Sequence, residues 1–367
     1  MTYEPTAELS VRAAHSERST REMSFEVVDP GARSDWDKQI SSFARANFFH
    51  SSPWMKALHA CYGFEPAYLV RINGFETKVL VPLMEVKSFL SGKRGISLPF
   101  TDDCEPLCAP DSNLEDLRNE LVAFGRSRGW RYLELRGGDP LFAGIEPFIS
   151  YSTHGLDLRR GEAELWRRCD SSMQRAVRKA RASGVSVKQG QTAEAAHTFY
   201  SLQCQTRRKH GLPPQPRRLF EAIHEHIVAP GHGMFYFAEH SGRAIAAALF
   251  LRFGSKVIFK YGASDESQLL LRANNLLMWQ AITDYMRDGC AELNFGRTDM
   301  GNEGLRRFKC SFGADERPLH YYRFDYRQNR FVQKKRGDWL RVVRPVFRHM
   351  PMTLARACGD LLYRHAA

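Results

Sequence analysis

The chain has 367 residues, with 53 Lys and Arg against 41 Asp and Glu, 43% apolar residues and 26% charged ones. That length fits two domains or one duplicated unit, and the fractions exclude a disordered chain, collagen and a disulfide miniprotein. No run approaches the roughly 18–20 apolar residues of a membrane span, and residues 1–21 lack the apolar stretch of a signal peptide, so the cytoplasm is the expected compartment.

Eight cysteines are scattered without a CxxC pair, as reduced thiols are in an intracellular chain. The net charge of +12 is uneven: residues 327–367 carry +8, and residues 167–181 hold six basic side chains and one acid. Two basic patches on a nearly neutral body point to two local anionic partners.

In chain order, residues 1–22 are polar and expected to be flexible. Ser51 to Tyr62 reads as a helix entered through Ser and Pro53. Ala67–Ile72, Asn73-Gly74 and Lys78–Val86 read as a hairpin, because Asn and Gly tolerate positive φ. Leu114–Arg128 has helical periodicity, Gly129 caps its C-terminus, and Tyr132–Arg136 is a strand. Asp170–Ser183 reads as a basic helix and Thr192–His210 as another; Gly211-Leu-Pro-Pro-Gln-Pro216 breaks the chain before a helix over Phe220–Val228. A second hairpin follows, Met234–Glu239 and Ala244–Leu251 around Ser241-Gly242, then the strand Lys256–Tyr261. Leu276–Arg287 is helical, Gly289 caps it, and Glu292–Phe295 is a strand. Hairpin, helix and strand therefore recur at an offset near 160 residues. The expected architecture is α/β (α+β), duplicated: a first unit over 23–155, a second over 156–326, and a basic amphipathic helical tail over 327–367.

No GxSxG, HExxH, Walker loop or post-strand GxGxxG is present. The histidines at 224, 226 and 232 read as a polar helix face rather than a metal site, since residues two apart share no face. Trp54 and Phe100 read as core. Three segments have a site-like setting. Arg175, Arg178 and Lys179 fall at three- and four-residue spacing, so one helical face could clamp a phosphate; a solvated basic face is the alternative. After Tyr261-Gly262, a helix begins at Ala273-Asn274-Asn275, whose amides and dipole suit a diphosphate; either asparagine also serves as an ordinary N-cap. Finally, Asn294-Phe-Gly-Arg297, Asp299 and Lys309 lie at and beyond a strand end, where ligands of open α/β sheets gather.

Taken in order, Arg175-Ala-Val-Arg-Lys-Ala-Arg-Ala-Ser-Gly-Val185, Tyr261-Gly-Ala-Ser, Ala273-Asn-Asn-Leu-Leu, Asn294-Phe-Gly-Arg297 and Phe308-Lys-Cys-Ser-Phe-Gly313 resemble the FemAB-like branch of the GNAT acyltransferase superfamily, and most of all its exosortase/PEP-CTERM-associated group. The resemblance runs from about Phe25 to His365. It implies tandem GNAT folds around a central cleft and acyl transfer to an amine. No tightly bound cofactor is implied, and acyl-CoA or an aminoacyl-tRNA serves as co-substrate. It also implies that the Arg175–Lys179 segment lies near the phosphates of a nucleotide-linked or lipid-linked acceptor, and that Lys309 lies near the reacting carbonyl. Related sequences often have Pro-Gly-Asn where this chain has Ala273-Asn274-Asn275, and Asp-Phe-Gly-Arg where it has Asn294-Phe-Gly-Arg297.

Such chemistry needs a donor for the oxyanion and a base for the ammonium. Lys309 and Arg297 are the candidate donors. Asp299, Asp102 and Asp103 are the candidate carboxylates, with Asp102 taken as catalytic and Asp103 as substrate-binding; a surface turn is the alternative for the pair. Tyr261 is the candidate acid for the leaving group. The expected acceptor is an amine of a cell-envelope or exopolysaccharide precursor. Three alternatives are a long-chain N-acyltransferase making an amide-linked lipid, a non-catalytic nucleic-acid-binding protein and a scaffold. The basic, apolar tail suits an anionic membrane surface on the inner face of the plasma membrane.

Overall fold

The computed structural model describes residues 25–73, 76–334 and 339–365. The expected flexible segment at 1–22, Gly74 of the first hairpin, and the side chains of Trp339, Leu340 and Val343 lie outside the described residues.

The first half opens with strand β1 (Glu26–Val28) and helices α1 (Trp36–Ile40) and α2 (Ser52–Tyr62). Pro53 sits in the first turn of α2, where its missing N–H costs no bond, and Gly63 at φ 68 ends the helix. Strands β2 (Glu65–Pro66), β3 (Tyr68–Asn73), β4 (Glu76–Val81), β5 (Met84–Ser88) and β6 (Gly92–Ile96) follow. The run read as one strand over Lys78–Val86 is therefore two. Pro82 lacks the N–H a ladder needs, so the chain bends there: β4 stays in a four-stranded sheet with β1, β3 and then β7 (Leu107–Cys108), while β5 enters a larger one. Helix α3 (Leu114–Ser127), closed by Gly129 at φ 67, leads to β8 (Tyr132–Arg136), which pairs in parallel with β6.

The second half contains β9 (Ile149–Asp157), α4 (Glu162–Arg168), α5 (Ser171–Ala182), β10 (Ser186–Gly190), α6 (Ala193–Lys209), α7 (Arg217–Ile223), β11 (Gly233–His240), β12 (Arg243–Phe253) and β13 (Lys256–Ser264). Then come α8 (Ala273–Arg287), β14 (Glu292–Asp299), α9 (Glu303–Cys310), β15 (Asp315–Asp325), β16 (Arg330–Phe331) and the tail helices α10 (Trp339–His349) and α11 (Met352–Leu362). As in the first half, a glycine at positive φ, Gly289, closes the long helix and the next strand pairs in parallel with the one before it, β14 on β13.

One sheet runs through both halves in the order β10-β11-β12-β13-β14-β9-β15-β8-β6-β5-β2. Its middle is an exchange. Strand β9, which follows the first unit, pairs with β14 of the second, and β15, which follows the second, pairs with β9 and with β8 of the first. The expected boundary at 155/156 thus falls inside β9, a strand that belongs to the second unit's sheet. A shared core seals the union. Trp36, Trp54 and Phe49 of the first half and Phe199, Phe220 and Phe235 of the second belong to one buried cluster, each at or below 1% exposure. Burying a side chain of that size is worth about 1.5–3 kcal/mol, so the halves hold each other at a fixed angle.

Candidate active site

Strands β13 and β14 pair only at Lys256–Ile258 with Glu292–Asn294 and then diverge. Two local features shape the gap. In β13, Phe259 faces Phe250 and Tyr261 faces Leu249 across β12, so Lys260 is the extra residue of a bulge. A bulge re-aims its side chain, and this one turns a lysine from an apolar run into the interior. In β14, Gly296 at φ 69 turns the strand, helped by Asn294, whose side-chain oxygen accepts from the Gly296 amide (2.7 Å) and the Thr153 hydroxyl (3.1 Å). A Cβ on Gly296 would meet Asp102 Oδ2 at 3.0 Å and the Phe259 carbonyl at 3.2 Å, so only glycine fits at the apex of the gap.

Asp102 reaches this apex from the first half, on the loop after β6. The Tyr321 hydroxyl on β15 donates to its backbone carbonyl at 2.6 Å. Around its carboxylate stand three cations. Lys260 Nζ is 3.4 Å from Oδ2 and also donates to the Phe100 carbonyl (2.6 Å), with the rings of Phe49, Trp54 and Tyr261 about it. Arg297 Nε is 3.9 Å from Oδ1; its Nη1 donates to the Tyr321 hydroxyl at 2.9 Å, and its guanidinium lies 4.5 Å from the Tyr151 ring. Lys309 on α9, 2% exposed, donates to the carbonyls of Gly296 (2.8 Å) and Arg297 (2.9 Å). Burial pulls both lysines down to about 8, against the attraction of Asp102. Three cations near one carboxylate leave an excess of positive charge, with both lysine side chains buried and that of Arg297 36% exposed. A developing oxyanion needs that environment.

On the other side of α9 lies a basic cleft of about 590 Å³, lined by Arg175 and Lys179 of α5, Arg272 and Asn275 at the start of α8, and Gly304, Arg307 and Phe308 of α9. Helix α8 begins on Arg272 at φ 58, without a side-chain cap and without an acid in its first turn. The expectation that Asn274 or Asn275 caps it does not hold. Its first amides and dipole instead face a cleft with four basic side chains. Helix α9 joins the two places, because Arg307 and Phe308 line the cleft while Lys309 turns inward to the sheet.

At the narrow end lies a crevice of about 280 Å³, lined by Arg45, Asn47, Asp102, Asp103, Glu105, Lys256, Asn294 and Arg317 among others. Asp103 also lines an adjoining crevice of about 390 Å³. One of its carboxylate oxygens is sealed from solvent without a hydrogen-bond partner. Burial pushes Asp103 up to about 7, the neighbouring Glu105 adds to the rise, and Arg45 opposes it.

Of the residues singled out from sequence, Lys309, Arg297, Asp102 and Asp103 come together at the apex and its crevice. Arg175, Lys179, Asn275 and the α8 start come together at the cleft; Ala273 is buried and Asn274 half-buried beside it. Two sit elsewhere. Arg178 lies over the Trp166 ring, 5.8 Å from its centroid, on the side of α5 away from the cleft-lining residues, and Asp299 is exposed at the end of β14. Tyr261 packs its ring against Phe220, and burial drives its hydroxyl well above the usual phenol range, which makes it a weak acid. Sequence reasoning missed Lys260, Tyr321 and Tyr151. A lysine inside the apolar run Val257–Tyr261 was the available signal for the first.

His154, Cys310 and Glu316 place ligand atoms within 4.8 Å of one another, but Arg306 grips Glu316 through Nε (3.0 and 2.8 Å) and Nη2 (2.7 Å). A cation would have to displace that guanidinium.

Residues 167–309 match the family described as "Acetyltransferase (GNAT) domain". No curated protein matches the sequence. Among solved structures, FemX is similar at 15% identity and a TM-score of 0.64, over 80% of this chain and 95% of FemX. A tandem GNAT protein from the clavulanic acid biosynthesis pathway is similar at 10% identity and 0.54, over 82% and 98%. So is the C-terminal domain of a lysylphosphatidylglycerol synthetase described as putative, from Agrobacterium fabrum, at 11% identity and 0.51, over 78% and 90%. At these identities the likeness establishes the fold, a tandem GNAT arrangement.

Proposed function

We propose, from the match of residues 167–309 to a GNAT acetyltransferase domain and from the tandem GNAT fold, that the chain is a FemAB-like acyltransferase moving an acyl or aminoacyl group from acyl-CoA or aminoacyl-tRNA to an amino group of a cell-envelope or exopolysaccharide precursor. The observation that carries this reading is the cation excess at the apex of the β13/β14 gap, set between a basic cleft and a crevice of mixed charge. The donor's phosphates lie against Arg175, Lys179, Arg272, Arg307 and the α8 amides, and its activated carbonyl reaches down the gap. The acceptor enters from the opposite crevice. Asp103, poised near neutrality, takes a proton from the acceptor's ammonium, and the neutral amine that results attacks the carbonyl carbon. Asp102 is fully engaged with Lys260 and Arg297, so its part is to hold those cations in place. The oxyanion forms beside Lys309 and Arg297; as it collapses, the carbonyl C–S or C–O bond to the donor breaks, the second proton of the attacking nitrogen passes to the leaving thiolate or ribose oxygen, and Asp103 gives its proton to solvent.

The name of the lysylphosphatidylglycerol synthetase, described as putative, favours an envelope acceptor. The test is transfer of labelled acyl groups by the purified full chain. Acyl-CoA and aminoacyl-tRNA donors are compared, with nucleotide-linked amino sugars and peptides as acceptors. Lys309→Ala should slow turnover by about 10²–10³-fold, the usual worth of one oxyanion donor. Unchanged turnover in a variant that melts cooperatively would remove Lys309 from the mechanism.

A further inference from the structure

The tail helix α11 is two-faced. Ala355 and Gly359 are buried, Gly359 so closely that a Cβ there would lie 2.0 Å from the Pro214 carbonyl oxygen. On the other side Leu354 and Leu361, seven residues apart and so on one line, are 57% and 64% exposed. Where α11 ends, the turn between β5 and β6 meets it. Phe89 packs edge-on against the His365 ring at 4.6 Å, Ser88 Oγ lies 3.0 Å from His365 Nδ1, and Arg94 donates to the His365 carbonyl at 2.8 Å. At that turn Phe89 is 82% and Leu90 63% exposed. Two segments far apart in sequence are therefore fastened together with their large apolar side chains in water.

The rim is mostly basic. Lys87 and Lys93 face each other across the β5/β6 hairpin, Arg131 lies beside Lys93, and Arg364 follows Leu361 by three residues. The acids of these segments are Glu85, which is buried and paired with Lys87 and Lys93, and Asp360, which is exposed on α11. An apolar ridge framed by cations fits a surface that offers both acyl chains and negative headgroups. No helix among the described residues is long and apolar enough to cross a membrane, so the geometry is that of a helix lying on one.

We propose that the outer face of α11 and the β5/β6 turn form a docking surface for an anionic phospholipid bilayer, with Phe89, Leu90, Leu354 and Leu361 entering the headgroup boundary. The surface is separate from the catalytic residues, and its test does not depend on them. The full chain is mixed with vesicles of phosphatidylcholine alone, or of phosphatidylcholine and phosphatidylglycerol in equal parts, and separated by flotation. It should float with the anionic vesicles, less so as salt rises.

Phe89→Ser with Leu90→Ser, and separately Leu354→Ser with Leu361→Ser, should each weaken partitioning by about tenfold or more, as expected when large apolar side chains stay in water. Val27→Ser, at an exposed position on β1, should float like the parent. Cooperative melting of each variant shows that its fold is intact. Equal flotation on neutral vesicles, or indifference to both double variants, overturns the proposal. So does concentration-dependent dimerisation that these variants abolish without any vesicle binding, which would assign the face to a second copy of the chain. A chain that floats but transfers nothing overturns the proposed function and leaves the surface standing.

Discussion

Each half of the molecule contains a pair of parallel strands that part company, and the two gaps have opposite fates. In the first half, β6 and β8 pair at Gly95/Leu133 and Ile96/Glu134 and then separate. Arg136 fills the space. Its Nη1 donates to the carbonyls of Leu98 (3.2 Å) and Thr101 (3.1 Å), and Glu134, held by Arg136 and Arg323, neutralises it. In the second half, the β13/β14 gap holds three cations and one carboxylate, and α9 links it to a basic cleft. The long helices behave likewise. The N-terminus of α3 is closed by Asn113, which accepts from the amides of Glu115 and Asp116, two acids that would repel a phosphate; α8 has neither cap nor acid. The filled gap is still not idle. By gripping Leu98 and Thr101, Arg136 fixes the loop that carries Asp102 and Asp103 into the open one. One copy has become the holder and the other keeps room for a substrate.

The sharpest way to break this division is to remove one carboxylate from each gap. Asp103→Asn should lower turnover by about 10²–10⁴, the usual range for a general base, and flatten the acid limb of the rate profile. In the parent, activity should fall below pH 7, where Asp103 is protonated, and above about 8, where Lys309 loses its charge. Stability should move the other way. A carboxyl with a raised folded pKa costs nothing below its unfolded value near 4, and its cost is complete above 7, so Asp103→Asn should gain stability relative to the parent as pH rises through that window. Glu134→Gln should do the reverse. Its carboxyl is held below its usual range by Arg136 and Arg323 despite burial, and removing its charge strands buried guanidinium groups at a cost of about 3–5 kcal/mol. Chemical denaturation beside steady-state kinetics reads both. A Glu134→Gln variant that stays folded but loses the acid limb would erase the distinction between the gaps.

A smaller effect tests the cleft. Arg175→Glu with Arg272→Glu should raise the KM for the donor at least about tenfold with little change in kcat, because a charged hydrogen bond is worth about 1.5–3 kcal/mol. Glu115→Lys at the start of α3 should leave both constants alone. Equal effects at the two helix starts would place the donor elsewhere.

What the sequence could reveal follows from what is local. Periodicity and the two glycines after α3 and α8 marked the repeated helices and the strands after them, and the resemblance brought Lys309 and Arg297 forward. The exchange of β9 and β15 was hidden, because strands such as Ile149-Ser-Tyr-Ser-Thr-His-Gly155 are polar for much of their length and owe their place to long-range pairing. Tyr321 was lost with β15. Lys260 shows in sequence as a charge within the apolar run Val257–Tyr261, but its inward turn depends on a one-residue bulge set by the register with β12. Asp103, read as substrate-binding with a surface turn as the alternative, shows nothing of its burial in sequence, because Arg45 and the left-handed Gly137 are brought to it from elsewhere in the chain.

The mildest test concerns asparagines at the two helix starts. At α3, Asn113 accepts from two first-turn amides, so Asn113→Ala should cost about 1 kcal/mol, seen as a lower melting temperature or denaturation midpoint. At α8, Asn275 lies inside the helix and caps nothing, so Asn275→Ala should change stability by no more than about 0.5 kcal/mol. Adding a phosphate-bearing donor should sharpen the contrast. It should stabilise the parent and Asn113→Ala by equal amounts, because α3 takes no part in binding, and stabilise Asn275→Ala less if the side chain at that position contacts the ligand. A loss of ligand-induced stabilisation in Asn113→Ala would mean that the closed helix start, and not the open one, receives the phosphate.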